Sequence, residues 1–443
     1  MTELETALAY LHHLMAQPVQ EAERQAAGRL LVDSIGCALG GLHDEVTVRT
    51  LRAMSPQADG VGILGHMTRL RPADALLVHG AAIRCMDFND VFSRRNNHHP
   101  SEFVVPIVLA LAEKGKWTGA RTIEATALGY RIFLAMGEMW EGLLGRGWAP
   151  ASTLGRSTAA ALVGLLQDQP DDVVINAMAI ATITAPTLGV VFKGELSHTK
   201  SLVNGMAARA GWEAVELAAA GITGPRDAFE GTAGFDQMSG GAFIPPDQDG
   251  PMLTAADVSL KAYPTVFMTH TAIAAAIQLS DQVRGPLRRI RVHAPEKVVT
   301  MAAAESRWRI STREAAQFSL PLAVATALMN GACGIAQLTP ERLNAPDVKA
   351  ALSVMETAVE PRWSGYEGGR VEVELDDGQS LSAEILAAPG HPANPMTEAQ
   401  VLEKFVALAS ESFGEERALR IAKAVESLAS APSIEAIMEA TRG

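Results

Sequence analysis

Basic residues, cysteines and the common catalytic motifs are all in short supply in this chain, and each shortage closes off a class of function. Lysine and arginine number 37 against 50 acids, a net charge of -13. That balance argues against a nucleic-acid partner, because phosphate binding is driven by cationic clusters. It leaves room for a locally basic site that takes small anions. Cys37, Cys85 and Cys333 form no CxxC pair and have no histidine at ligand spacing, so neither structural zinc nor a disulfide framework is expected. Each lies in an apolar run and reads as a small buried hydrophobe. No Walker loop, GxSxG or HExxH occurs, which removes the usual signals for nucleotide, serine-hydrolase and zinc-protease chemistry. The first residues, MTELETALAYLHHLM, are acidic where a secretory signal would be basic, and no apolar run is long enough to cross a bilayer. The expectation is a cytoplasmic protein with no membrane partner, no metal and no cofactor.

What is present is apolar mass. Hydrophobic residues make up 48% and aromatics only 5% of 443 residues, the composition of an Ala/Leu-rich globular protein with a large core. At this length two domains are the default. Up to about Gly250 the apolar spacing is helical almost throughout, in EAERQAAGRLLVDSIGCALGG, ADALLVHGAAIRCMD and SEFVVPIVLALAEKG. KSLVNGMAARAGWEAVELAAAG spaces Gly205, Ala208 and Gly211 so that neighbouring helices can approach closely, which predicts a central helix of a bundle. The period then changes. In RRIRVHAP, Ile290 and Val292 alternate with Arg289, Arg291 and His293; in GRVEVELDDGQSLSAEIL, two alternating runs flank a tight turn at Asp377-Gly378. Helices are expected around 265–284, 314–331 and 346–358. The reading is mainly α: a large all-helical bundle domain over 1–264, completed by C-terminal helices 396–443, and a smaller α+β domain over 265–395.

The most informative stretch is DFNDVFSRRNNHHPSEFVVP, residues 87–106. It sets Asp87, Asp90, Arg94, Arg95, Asn96, Asn97, His98 and His99 between two helices that read as buried. A core has no use for unpartnered charge, which costs several kcal/mol. An exposed loop carries it freely, so the alternatives are a solvated loop and a functional island held against a rigid scaffold. Ser101 with Glu102 would cap the following helix, aiming His99 into whatever the island lines. Lys200 lies just inside the small-residue helix. It is either a base made usable by desolvation or a lysine reaching out at the bundle end. Lys261, Tyr263 and His270 lie near the expected domain junction, where ligand pockets are common. Acids, lysines and histidines near glycine-rich loops suit proton transfer on a small carboxylate.

Eight segments, in order, resemble the MmgE/PrpD family: LLVDSIGCALGG, HGAAIRCMDFND, HHPSEFVVPIVLALAE, GWAPASTLG, the run from Lys200 to Phe235, LKAYPTVFMTH, AQFSLPLAVATAL and PGHPANPMT. The resemblance implies a helical domain with an α+β lid, a homodimer, an active site between the domains, and a cofactor-independent lyase or epimerase. Its substrate would be a small di- or tricarboxylate, by dehydration of the 2-methylcitrate kind first, with epimerisation of iminodisuccinate or decarboxylation of cis-aconitate as alternatives. A carboxylate-binding protein that has lost catalysis is a further alternative. Asp87, His99 and Lys200 match the family's catalytic aspartate, histidine and first lysine, with either Lys200 or His99 as the base. Lys261 matches the second lysine and His270 the histidine after the KxYP element; with Tyr263, Arg84, Arg94 and Arg95 they make up the expected carboxylate-binding set. The chain departs from the family pattern at Arg84, Asn89 and Val91, and at Ala149, where the family carries a histidine.

Overall fold

The computed structural model describes residues 1–442 except 95, 144–145, 193–195 and 309–312, without the side chains of 313 and 314. The chain divides into two compact units, residues 1–258 with 397–443 and residues 259–396.

The first unit begins with α1 (Glu3–Ala16), α2 (Glu21–Gly40), α3 (Glu45–Arg52), α4 (Pro72–Arg84) and α5 (Ser101–Gly115). It continues with α6 (Gly119–Glu138), α7 (Pro150–Leu166), α8 (Asp171–Thr182), α9 (Thr199–Ala219) and the short α10 (Phe235–Ser239). Helix starts follow from local chemistry. Thr2 and Glu5 form a reciprocal capping box on α1, Asp44 accepts the Val46 N–H at α3, and Pro72 and Pro150 open α4 and α7, where a missing N–H costs nothing. Helix α9 packs on α4, α5, α7 and α8, the central place its small residues predict. A Cβ on Gly80 would lie 2.9 Å from the Gly205 Cα, and one on Gly211 would lie 2.5 Å from the Ala159 Cβ. Glycine at 80 and 211 therefore sets how closely α4 and α7 approach α9.

Among the described residues three short antiparallel strand pairs accompany these helices: the hairpins β1 (Val61–Gly62) with β2 (Arg69–Leu70) and β3 (Phe92–Ser93) with β4 (Asn97–His98), and the long-range pair of β5 (Trp140–Glu141) with β6 (Ala242–Phe243). Gly60, Gly62 and Gly65 have the spacing of a dinucleotide-binding loop, but they run through the β1–β2 hairpin and open no helix. The Gly62 N–H donates to Glu113 Oε2 at 2.7 Å, so a carboxylate occupies the place a phosphate would need.

The second unit has α11 (His270–Ser280), β7 (Leu287–Ala294), α12 (Glu296–Ala302), α13 (Arg313–Ala316), α14 (Leu320–Asn330), α15 (Pro340–Leu343), α16 (Pro346–Ser353), β8 (Met355–Val359), β9 (Gly369–Leu375) and β10 (Ser380–Ile385). Its sheet runs β10-β9-β7-β8, antiparallel except for the β7–β8 pair. Ile290, Val292, Val371, Val373 and Leu375 point into a core completed by Ile273, Leu279, Val324 and Leu328 of α11 and α14. The hairpin at Asp377-Gly378 is as expected, with Gly378 at φ 89°. The helix expected over 346–358 is corrected: it stops at Ser353, and Met355–Val359 form a strand. Its residues pair Met355 with Ile290 and Thr357 with Val292, and that pairing with β7 overrides the helical spacing.

The chain returns to the first unit through α17 (Glu398–Phe413), α18 (Glu415–Glu426) and α19 (Glu435–Thr441). Thr397 and Gln400 form the capping box of α17, and Phe405 packs flush on α2, 2.9 Å from where a Gly36 Cβ would stand.

Candidate functional site

The polar island is buried, not solvated. Asp87 lies three residues past the end of α4 with φ 52°, a left-handed conformation that costs a non-glycine residue on the order of 1–3 kcal/mol. Two cations hold it there. Arg84 Nη1 donates to Asp87 Oδ1 at 2.6 Å and Lys200 Nζ to Oδ2 at 3.0 Å, with no side chain of the three more than 3% exposed. Helix geometry explains the meeting: Arg84 ends α4, Lys200 opens α9, and the two helices are pressed together by their glycines.

Arg84 also lies 3.3 Å from Glu102 Oε1 through its Nε. Burial works against the Arg84 charge, but Asp87 and Glu102 more than offset it and raise its pKa further. Glu102 is pushed up to about 7 by burial, against the pull of Arg84, Asn204 and Asn89. Asn204 Nδ2 donates to Glu102 Oε2 at 2.7 Å, and Ser152 Oγ of α7 donates to Asn204 Oδ1 at 2.5 Å. Asn89 explains itself here. Its amide donates at 3.1 Å to both Glu102 Oε1 and Ser101 Oγ, a place where an aspartate would meet carboxylates.

Asp90 corrects the expected cap. Ser101 is the first residue of α5 and caps nothing; Asp90 accepts its N–H at 3.1 Å and its Oγ–H at 2.5 Å, and the Tyr130 hydroxyl at 2.8 Å. The helix start is satisfied by an acid from the preceding loop because Ser101 turns its hydroxyl toward that same acid. Burial pushes Asp90 up to about 6 in spite of these donors. His99 Nδ1 lies 2.7 Å from the Asp90 carbonyl oxygen. A carbonyl only accepts, so Nδ1 carries the hydrogen and the neutral ring keeps its basic nitrogen at Nε2. His98, next to it, packs edge-on against Phe133 at 5.7 Å and is lowered to about 4 by burial.

The structure therefore gathers Asp87, Arg84 and Lys200 in one buried cluster, with His99 joined to it through the Asp90 loop. It does not bring in Arg94, which is exposed at the β3–β4 turn and lines a separate cleft of about 360 Å³ with Tyr10, Glu138 and Pro245. Arg95 lies outside the described residues. Ala149 is buried at the start of α7, its N–H donated to the Thr187 carbonyl at 2.9 Å. In the second unit, Lys261 and His270 are buried, and Tyr263 meets the His270 ring edge-on at 5.1 Å. Burial pushes the Tyr263 hydroxyl up to about 12, so it stays a donor at any working pH. His270 Nε2 faces the Thr265 carbonyl oxygen at 3.3 Å, which places its hydrogen there.

Glu102, Asn204, Ser152 and Tyr130 are the members that residue-type reasoning did not propose as site residues. Asn204 carried a usable signal, since it follows Lys200 by one helical turn on the same face. Chemically, the cluster offers an ammonium on a carboxylate, a histidine with a fixed tautomer, and two carboxyl groups whose protons are held near neutrality. Among the described residues no group of three or more His, Cys, Asp or Glu is placed to hold a metal ion. No described helix is long and apolar enough to cross a membrane.

Residues 6–245 match the MmgE/PrpD N-terminal domain and residues 263–430 the MmgE/PrpD C-terminal domain. Among curated proteins, the chain is 25% identical to a cis-aconitate decarboxylase-like protein of Aspergillus oryzae, over 95% of this chain and 93% of that one. It is 26% identical to the cis-aconitate decarboxylase of Aspergillus terreus, over 94% and 91% of the two chains. The human cis-aconitate decarboxylase is 25% identical, over 94% and 90%.

Proposed function

This chain belongs to the MmgE/PrpD family, and we propose that it is a cofactor-independent lyase that makes and quenches a carbanion beside a carboxylate of a small polycarboxylic acid. The observation that carries the reading is the buried Arg84–Asp87–Lys200 arrangement with Asp87 in a strained conformation. Strain and buried like-charge crowding of this kind are kept where chemistry needs them.

Decarboxylation of an unsaturated tricarboxylate such as cis-aconitate is the form we favour. The C–CO₂ bond breaks and carbon dioxide leaves. The electron pair left behind spreads through the neighbouring double bond onto a remaining carboxylate, so the double bond shifts toward the carbon that lost carbon dioxide and one proton closes the carbon beside that carboxylate. Such a reaction needs a cationic lining for the spreading charge and a single proton donor. Lys200, an ammonium held on Asp87, supplies the proton, and Arg84 on the same aspartate adds the second cation beside the spreading charge. His99, with Nε2 as its basic nitrogen, orders the proton return. Dehydration, the first expectation from the sequence, needs in addition an acid for the leaving hydroxide. The family position that would provide it is Ala149, whose methyl side chain cannot. The curated relatives named above are cis-aconitate decarboxylases or decarboxylase-like, which supports the same choice.

The test is proton NMR in D₂O with cis-aconitate, 2-methylcitrate, citrate and iminodisuccinate. We expect cis-aconitate to lose carbon dioxide and to gain one deuteron beside a carboxylate. Lys200→Ala should fold and lose at least about a hundredfold in turnover, the scale of a removed proton-transfer group. Deuteration of none of the four acids would sink the carbanion reading, and an alkene from 2-methylcitrate would restore the dehydratase.

A further inference from the structure

We propose that Lys404, on the C-terminal helix α17, is a positioning residue for the Asp87 turn, fixing the strained backbone that presents this carboxylate to Arg84 and Lys200. The proposal rests on the reading of Asp87 as a catalytic group. Lys404 is remote from the cluster in sequence. Its Nζ donates to the carbonyl of Phe88, the residue after Asp87, at 2.6 Å. The same ammonium is 2.6 Å from Asp33 Oδ1 of α2 and 3.9 Å from the centroid of the Phe88 ring. One buried cation thus grips the turn by its backbone and by its aromatic face, while Asp33 anchors the cation to the scaffold.

The floor beneath the turn is rigid. A Cβ on Gly40 would meet Met86 Cε at 2.8 Å and Leu408 Cδ2 at 3.0 Å, and one on Gly41 would meet the Ala82 carbonyl oxygen at 2.2 Å and Cys85 Sγ at 2.7 Å. Residues 82–86 therefore lie flush on the end of α2, with α17 on the same floor. Arg84 and Lys200 each hold one oxygen of the Asp87 side chain, and Lys404 holds the following carbonyl. A left-handed aspartate persists only where its surroundings over-determine it, and this clamp supplies the second set of constraints. A purely structural lysine would be satisfied by Asp33, since buried ion pairs contribute little net stability over apolar replacements. The grip on Phe88 is what that role leaves unexplained.

The intact chain is tested as Lys404→Met and as Asp33→Asn/Lys404→Met, the double variant removing the uncompensated buried carboxylate. Asp87→Asn serves as the reference. Amide hydrogen exchange is followed in the peptide spanning 86–92, alongside kcat and KM on cis-aconitate. Both Lys404 variants should exchange at least tenfold faster in 86–92, with exchange in α2 and α9 unchanged. Their kcat should fall at least tenfold while KM stays within twofold, and Lys404→Arg should recover most of the loss. Unchanged exchange in 86–92 would overturn the clamp. Faster exchange with wild-type kcat, where Asp87→Asn is inactive, would show a structural role only. Wild-type turnover in Asp87→Asn would instead remove Asp87 from catalysis, with the clamp itself still judged by exchange.

Discussion

Among the described residues two arginines are buried in the helical unit, Arg131 on α6 and Arg84 on α4, and their surroundings differ in kind. Arg131 donates to Glu23 through Nε and Nη2, and its remaining hydrogens go to the carbonyl oxygens of Leu14, Gln17 and Pro18 at 2.8–3.0 Å. One acid and three backbone carbonyls close the α1–α2 connection around it. Arg84 faces two carboxylates, each shared with other donors, beside a left-handed aspartate, in a region where burial lifts Glu102 to about 7 and Asp90 to about 6. Three of the four groups around Arg131 are backbone carbonyls that cannot change protonation, whereas both partners of Arg84 are carboxyl groups that can. Burial and pairing alone do not separate the two.

The largest effect expected of this contrast is on stability. Arg131→Met leaves Glu23 buried without its partner and should cost about 3–5 kcal/mol in denaturant unfolding, with turnover per folded molecule unchanged. Arg84→Lys keeps the charge but loses the planar fork that spans Asp87 and Glu102. It should cost about 1–2 kcal/mol of stability and at least tenfold in turnover. Parallel losses of turnover in the two variants would erase the distinction.

A smaller effect lies in the pH dependence of stability. Glu102 is raised from 4.5 to about 7, so the folded state holds its proton more tightly than the unfolded chain. Its contribution is complete below pH 4.5 and is lost as pH rises to about 7. Asp90, raised from 3.8 to about 6, acts in the same direction over a lower window. His98 and His79, lowered from 6.5 to about 4, act oppositely: their contribution is present above 6.5 and lost on acidification. Between pH 6.5 and 7.5 Glu102 titrates in the folded state, while His98 and His79 finish titrating in the unfolded chain with the opposite sign and Asp90 completes its own titration; these three are present in wild type and in a Glu102 variant alike and cancel in the difference. Glu102→Gln should therefore remove a falling term and make the slope of unfolding free energy against pH more positive than wild type there, by less than the ~1.4 kcal/mol per pH unit that one whole proton supplies. Glu3 is raised the same way but is present in both proteins and cancels in the difference. An unchanged slope would mean that Glu102 is ionised in the folded state at pH 6.5, as an ordinary partner of Arg84.

Periodicity carried most of the fold. The bundle, the small residues of α9, strand β7 and the β9–β10 hairpin all follow from apolar spacing, which records which face each element buries. Strand β8 did not, because five residues at the end of a helical run are committed by pairing with β7 and not by their own pattern. Asp87, His99 and Lys200 were singled out from residue type and family resemblance; the structure pairs Lys200 with Asp87 and sets His99 on the Asp90 loop, and their roles belong to the proposed function. Tyr130, Ser152 and Lys404 were not singled out, since each acts through a hydrogen bond to an element distant in sequence; Asp90 was named with the island but not as the acid that holds the start of α5. Arg94 stands exposed and apart from the buried cluster, a placement that the sequence does not encode because a loop charge reads the same whether it faces a site or the solvent.

The charged face of the second unit's sheet is the weakest limb of the comparison and the one with the smallest expected effect. Arg289 and Arg291 of β7 both donate to Glu356 of β8, and Arg289 also approaches Glu374 of β9 at 3.6 Å. The pairing is as close as that around Arg84, and the hydrogen bonds from Arg289 and then Arg291 hold the Glu356 carboxyl below its usual value. All these side chains are more than a third exposed, so water and salt screen them and competing hydration replaces what a substitution removes. Contact distance alone would rank this ladder beside the buried clusters, whereas desolvation ranks it far below. Glu356→Gln should leave Tm within about 1 °C at 0.15 M salt, measured beside Arg131→Met and Glu102→Gln. A shift of the size seen for Arg131→Met would mean that proximity, not desolvation, decides which of this protein's charges matter.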